Sequence, residues 1–375
     1  MFKSTAKLLG AISLFFSGVS HSQNVTAFTD WDLQKGANIQ SFEQSEVINI
    51  NSGKVYFKGD AMQDGIIEFD LFTGGERAFV YAYFRQQSDA VSESIYLRTH
   101  KSNAPDTIQY SPVIQGRSSW QLYHGQKGTA SAFLPEQQWM RVKLSFKGDK
   151  LNVWVGEDED PVMQDVTLMN VVASGGVMLR GFIPRASNAT YAAKIKNVRI
   201  TPLEPSPVEK VATKAKNAEF ISKIEVSAVF KADKNATTQM PEAVAKGGWK
   251  VAKAEADGMF NLLSWRDIPK GVRPWTVATR FVVSSETTQT CELDVGYSDT
   301  MTLHLNNSPI VFADASYRYS DNRQEGLLHP EQLKVYLPLQ QGDNEVVGYV
   351  ADSFGGWGVQ YRLNNCADVE VKIGT

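Results

Sequence analysis

The stretch AFVYAYFR, residues 78–85, decides the fold class. Read as a strand, it sends Phe79, Tyr81, Tyr83 and Arg85 to one face and Ala78, Val80, Ala82 and Phe84 to the other. That period-2 alternation marks a β-strand with two unlike faces. The pattern continues on both sides. Residues 54–58 read KVYFK and 65–73 read GIIEFDLFT. Residues 94–100 read SIYLRTH, with Tyr96, Arg98 and His100 on one face. Residues 139–146 and 151–155 flank Gly148-Asp149 and predict a hairpin. Turn signals every ten or so residues, without long period-3.6 stretches, argue a β-sandwich rather than parallel βαβ units.

The same patterning returns after residue 220. Segments 221–230, 275–283, 291–297, 301–305, 334–339, 345–350 and 358–363 all read as strands. Asn306-Asn307 and Gln341–Asn344 supply turn chemistry between them. Between the two blocks, Pro202, Pro205 and Pro207 break any strand, and a charged stretch follows. The expected architecture is all-β: two β-sandwich (jelly-roll) domains in tandem, residues 23–202 and 220–375, joined by a linker at 203–219.

The first 22 residues read as a cleaved signal peptide. Lys3 and Lys7 precede an apolar run at 8–19, and Ser20 and Ser22 occupy the small-residue positions before a cut at Gln23. The run is too short to span a bilayer as a permanent helix. The expected mature protein is therefore secreted or periplasmic, with no transmembrane segment.

Composition narrows the function classes. The chain has 375 residues, with 38 Lys+Arg against 41 Asp+Glu and a net charge of −3. That balance provides no general field for nucleic acid. Two cysteines exclude a cysteine-dense scaffold. Cys291 and Cys366 each sit beside a predicted strand, and an exported chain keeps such a pair as a disulfide. Closing that loop would stabilise by about 4 kcal/mol in the chain-entropy model. No HExxH, Walker or Gly-x-Ser-x-Gly string occurs. The acidic run Glu157–Asp160 lacks Ca²⁺-loop spacing and reads as a solvated turn.

The string ESIYLRTHKSNAPDTIQYSPVIQGRSSWQLYHG (93–125), followed by TASAF (129–133) and QQWMRVKL (137–144), resembles concanavalin A-like lectin/glucanase (laminin-G-like) modules of exported bacterial proteins. LHLNNSPIVF (303–312), LPLQQGDNEVVGYVAD (337–352) and GGWGVQYRL (355–363) resemble the galactose-binding-like jelly roll attached to some glycosidases. Asn307 stands where that pattern usually has Gly, and Asn tolerates a positive φ. These resemblances imply fold. They admit a structural Ca²⁺, although no residues mark one, and no other cofactor is predicted.

Catalysis has two candidate locations. Glucanases of the first superfamily use paired acids on a strand, and the nearest string here, Glu68-Phe69-Asp70, lacks the third acid. Lyases of similar fold use a Tyr or His base beside Arg or Gln, but the spacing here matches no such motif. The leading expectation is a non-enzymatic protein binding carbohydrate or another extracellular ligand. The alternatives are a polysaccharide lyase or glycoside hydrolase acting through the first sandwich, and a structural or adhesive module. The expected ligand-binding residues are Arg85, Tyr96, Arg98, His100, Gln109, Tyr110, Trp120, Tyr123 and His124, which combine ring faces with hydrogen-bonding groups.

Overall fold

A computed structural model describes residues 25–207, 220–232, 242–318 and 325–374. The expected signal peptide and residues 208–219 of the expected linker lie outside the described residues. The protein is all-β, and its strand ladders are antiparallel.

Two sheets pack face to face in the N-terminal half. The first has the spatial order Trp31–Leu33, Lys54–Phe57, Gly176–Phe182, Phe79–Ser88, Val91–Arg98, Ile108–Tyr110 and Thr129–Ala130. The second centres on Asp64–Phe72, flanked by Trp139–Lys147 and Ala193–Leu203. Alternation decides what lies between them. Val80, Ala82 and Phe84 from one sheet meet Ile67, Phe69, Leu71, Val142, Leu144 and Phe146 from the other. The rings of Phe84 and Phe146 stack at 4.5 Å. Each large apolar side chain buried there stabilises by about 1.5–3 kcal/mol. The expected hairpin forms between Trp139–Lys147 and Lys150–Val155, with Gly148 at a φ of +57° in its turn.

The C-terminal half repeats the arrangement with a seven-stranded and a four-stranded sheet. Asn306 and Asn307 take φ values of +50° and +65°, so the hairpin turns without the usual Gly. Asn344 is buried and fastens the next hairpin. Its Nδ2 donates to the carbonyls of Gln340 and Gly342, and its Oδ1 accepts from the Gln340 amide. Cys291 and Cys366 form a disulfide.

The sandwiches share a dense junction. Met259 and Leu328 from the C-terminal half pack into the N-terminal core. Gln115 donates to the carbonyls of Leu263 and Arg266 and accepts from the Ile268 amide. Arg117 pairs with Asp352, which also takes Arg273 at 3.3 Å.

Arg85 departs from the expected strand face. The ladder of Phe79–Ser88 shifts register beyond Phe84, and Arg85 takes a φ of +47°. This bulge turns the guanidinium inward, since an extra residue in one strand re-aims the side chains that follow. Arg85 is 2% exposed and donates to Asp64 Oδ1 at 2.9 Å and to the Gly148 carbonyl at 2.7 Å. It is an interior ion pair that holds the hairpin turn, not a ligand-facing group.

Candidate functional site

The outer face of the first sheet carries rings instead of apolar core residues. Tyr81 lies opposite Tyr96 and Phe79 opposite Arg98 in the ladder between Phe79–Ser88 and Val91–Arg98. Period-2 geometry therefore puts these four side chains on one surface. Tyr81 and Tyr96 stack at 5.1 Å. On the neighbouring strand, Phe182 pairs with Phe79, their rings 6.0 Å apart. Together these rings form the floor of a cleft with a volume of about 480 Å³.

The facing wall comes from both sandwiches. Trp120 meets Tyr317 edge to face at 5.9 Å and Phe354 at 6.2 Å, and Tyr317 lies 5.3 Å from Phe354. Gln121 fixes the Trp120 turn against the second sandwich. Its amide donates to the Gly355 carbonyl at 3.1 Å, and its Nε2 donates to the Glu325 carbonyl at 2.9 Å. Gly355 has a φ of +79°, and a Cβ there would come within 2.6 Å of Trp120 Nε1 and Gln121 Oε1. Only glycine permits that approach. Asp299 Oδ2 accepts from the amides of Ser353 and Phe354, which sets the Phe354 ring against Trp120.

Polar groups crowd one end. Arg98 is 8% exposed. It donates to Tyr96 Oη and Gln109 Oε1, both at 2.7 Å, and its guanidinium lies over the Tyr96 ring at 4.7 Å. Gln109 joins floor to wall: its Oε1 also accepts from Tyr96, while its Nε2 donates to the carbonyls of Trp120 and Tyr123. Asp106 takes Lys101 at 2.7 Å and Arg98 at 3.6 Å. Arg77 and His100 complete this end. The His100 ring stands edge-on to Phe79 at 5.6 Å. Burial, then the charges of Arg77, Lys101 and Arg98, push its pKa down to about 4, so it is neutral at pH 7. Its Nδ1 is buried and finds no hydrogen-bond partner among the described residues.

Of the nine residues expected to bind ligand, Tyr96, Arg98, His100 and Trp120 line this cleft. Gln109 stands behind it as the support just described. Tyr110 is a core residue: its hydroxyl donates to Glu93 at 2.7 Å and accepts from the Met169 amide. Tyr123 and His124 face the other sandwich. Tyr123 donates to Glu255 and accepts from Asn261. His124 Nε2 meets the Leu328 carbonyl at 2.7 Å, and burial pushes its pKa down to about 4. Tyr110, Tyr123 and His124 are thus engaged in protein contacts, as Arg85 is. Phe79, Tyr81, Phe182, Tyr317 and Phe354, none of them among the residues expected from the sequence, also line the cleft. For Phe79 and Tyr81 the signal was present in their shared strand face.

The paired acids Glu68 and Asp70 lie on the outer face of the opposite sheet, 3.9 and 3.8 Å from Arg141. Among the described residues, the cleft holds two carboxylates, Asp106 and Glu325. No group of three or more His, Cys, Asp or Glu is placed to hold a metal ion among the described residues. No helix among them is long and apolar enough to cross a membrane.

No protein-family model matches the chain, and no curated protein matches it. Solved structures do. A carbohydrate-binding module from Bacillus subtilis is 13% identical over 46% of this chain and 95% of its own, with a TM-score of 0.34. A Bacillus subtilis protein of unknown function with a galectin-like fold is 11% identical over 48% of this chain and 91% of its own, with a TM-score of 0.36. A putative glycosyl hydrolase from Parabacteroides distasonis is 15% identical over 47% of this chain and 90% of its own, with a TM-score of 0.31.

Proposed function

We propose that the protein is an exported carbohydrate-binding protein and that the saccharide occupies the cleft between the sandwiches. One observation carries the reading. Ring faces on the floor, Phe79 and Tyr81, oppose a wall of Trp120, Tyr317 and Phe354, and polar groups lie at one end. A sugar ring presents an apolar C–H face and a rim of hydroxyls, so it needs both kinds of surface on a rigid frame. The frame is two packed sheets and a junction of buried hydrogen bonds. Export rests on the N-terminal leader reading, and the disulfide suits an oxidising compartment. The second sandwich serves as half of the site and not merely as a spacer.

Asp106 is engaged by Lys101 and Arg98, and Tyr96 by Arg98 and Gln109. Neither group is poised as an acid or base, which favours binding over cleavage. The test is affinity electrophoresis of the mature chain through gels containing plant, algal and bacterial polysaccharides. Retardation by at least one polysaccharide, without release of reducing ends or of products absorbing near 235 nm, supports the reading. No retardation by any of them overturns it.

A further inference from the structure

The floor of the cleft continues beyond its rim. In the first sheet, Tyr96 lies opposite Tyr81, Tyr81 opposite Arg180, and Arg180 opposite Lys54. Opposed residues in a ladder share a face, so this row leads from the cleft floor onto the open side of the sheet. Tyr56, two residues past Lys54, shares that face and lies opposite Asp32 of the edge strand Trp31–Leu33. Four strand spacings separate Val91–Arg98 from Trp31–Leu33, roughly 19 Å of sheet. Tyr83 and Met178 are buried on the same face and pack against Tyr56 and Tyr81, so they support the surface rather than form it.

The row is open and chemically mixed. Lys54, Tyr56, Tyr81 and Arg180 are half-buried, and Asp32 is exposed. The Arg180 guanidinium lies over the rings of Tyr81 at 5.5 Å and Phe182 at 5.9 Å. Stacking occupies the faces of a guanidinium and leaves its in-plane N–H groups to donate. Lys54 meets Asp89 at 3.5 Å, but their side chains are 38% and 80% exposed, and so open a pair holds neither group tightly. Asp32 accepts from Gln34 and keeps further acceptor capacity. We propose that the saccharide is several consecutive units of an extended polysaccharide, running from the cleft between Tyr81 and Trp120 across Arg180 to Lys54 and Tyr56. The inference rests on the carbohydrate reading of the cleft and adds the length of the ligand to it. A mono- or disaccharide would leave the row beyond Tyr81 unused. A longer chain would meet ring faces and hydrogen-bonding groups strand by strand, matching its own C–H faces and hydroxyls.

The experiment is isothermal titration calorimetry on the full mature chain with cello-, manno-, xylo-, agaro- and galacturono-oligosaccharides of two, four, six and eight units. The expected result is that in at least one series affinity rises about thirtyfold or more from two units to six, as hydrogen bonds to the row accumulate. The binding enthalpy should become more favourable alongside it. Extra binding registers on a longer chain raise affinity by statistics alone and add no enthalpy, so the enthalpy separates the two causes. Arg180→Gln and Lys54→Ala should each lower the six-to-two affinity ratio about threefold or more. Lys54 is exposed enough for its variant to keep the fold, and melting temperatures verify this for both. Affinity and enthalpy that do not grow beyond two units overturn the extended row and leave carbohydrate binding in the cleft standing. An unchanged ratio in the folded variants overturns the path across Arg180 and Lys54. Failure of every series to bind overturns the carbohydrate reading itself.

Discussion

Trp120 and Tyr317 come from different sandwiches, yet their rings meet edge to face at 5.9 Å across the mouth of the cleft. The contact does not stand alone. Gln121, next to Trp120, bonds to the backbone of Glu325, Leu328 and Gly355. Phe354, next to Gly355, closes the aromatic wall. The cleft surface is therefore composite, and its shape depends on a junction that neither sandwich builds by itself.

Arg98 and Trp120 should behave differently when truncated. Arg98 is buried under three hydrogen bonds to Asp106, Tyr96 and Gln109. Arg98→Ala removes those bonds and the packing of its stem, and should lower stability by about 2–3 kcal/mol. Chemical denaturation of parent and variant checks this. Unchanged stability would show that the Arg98–Gln109 lattice is not holding the floor of the cleft.

The junction should carry a pH signature. Burial, reinforced by Asp257, pushes Glu255 up from its usual 4.5 to about 7 against the opposing charge of Lys127 and the hydrogen bond from Tyr123. A carboxyl that holds its proton more tightly when folded stabilises the protein below the unfolded value. That contribution is lost as pH rises from about 4.5 to about 7, with a full swing on the order of 3 kcal/mol. Glu255→Gln keeps an acceptor for Tyr123 and removes the titration. The stability of the variant relative to the parent should therefore increase with pH across that window and level off above it. Urea titrations at pH 4, 5.5 and 7.5 measure the difference. A constant difference would mean that Glu255 titrates normally.

The disulfide closes a sequence separation of 75 residues between Gln289–Ser298 and the segment before the last strand. Replacing Cys291 and Cys366 together by Ala should cost about 4 kcal/mol through the freed unfolded chain. Denaturant midpoints of the double variant and the oxidised parent test this. Equal midpoints would place the staple's contribution near zero.

Individual strands were legible wherever alternation was local, whereas their order in the sheets was not. Period 2 alone put Phe79 and Tyr81 on one face of their strand and Tyr96 and Arg98 on one face of theirs, while the ladder register joined the two faces. What a single strand does not reveal is which of its faces meets water, core or another domain. Tyr110, Tyr123 and His124 look like exposed ligand groups in a polar segment, yet they are covered by the strand lattice or by residues more than a hundred positions downstream. Tyr317 and Phe354 were invisible for the same reason, because only the junction brings them to Trp120. Arg85 was misplaced by a bulge, which resets alternation without a clear mark in the sequence.

The most direct test of the account is calorimetry on Trp120→Ala, using the polysaccharide fragment that most retards the parent protein. Trp120 is half-buried on the wall, and a ring stacked on it contributes on the order of 1 kcal/mol beyond simple burial. The account predicts that the variant binds about tenfold more weakly while its melting temperature shifts by about 2–4 °C at most. Binding indistinguishable from the parent, in a variant that remains folded, would contradict the placement of the ligand between the two sandwiches.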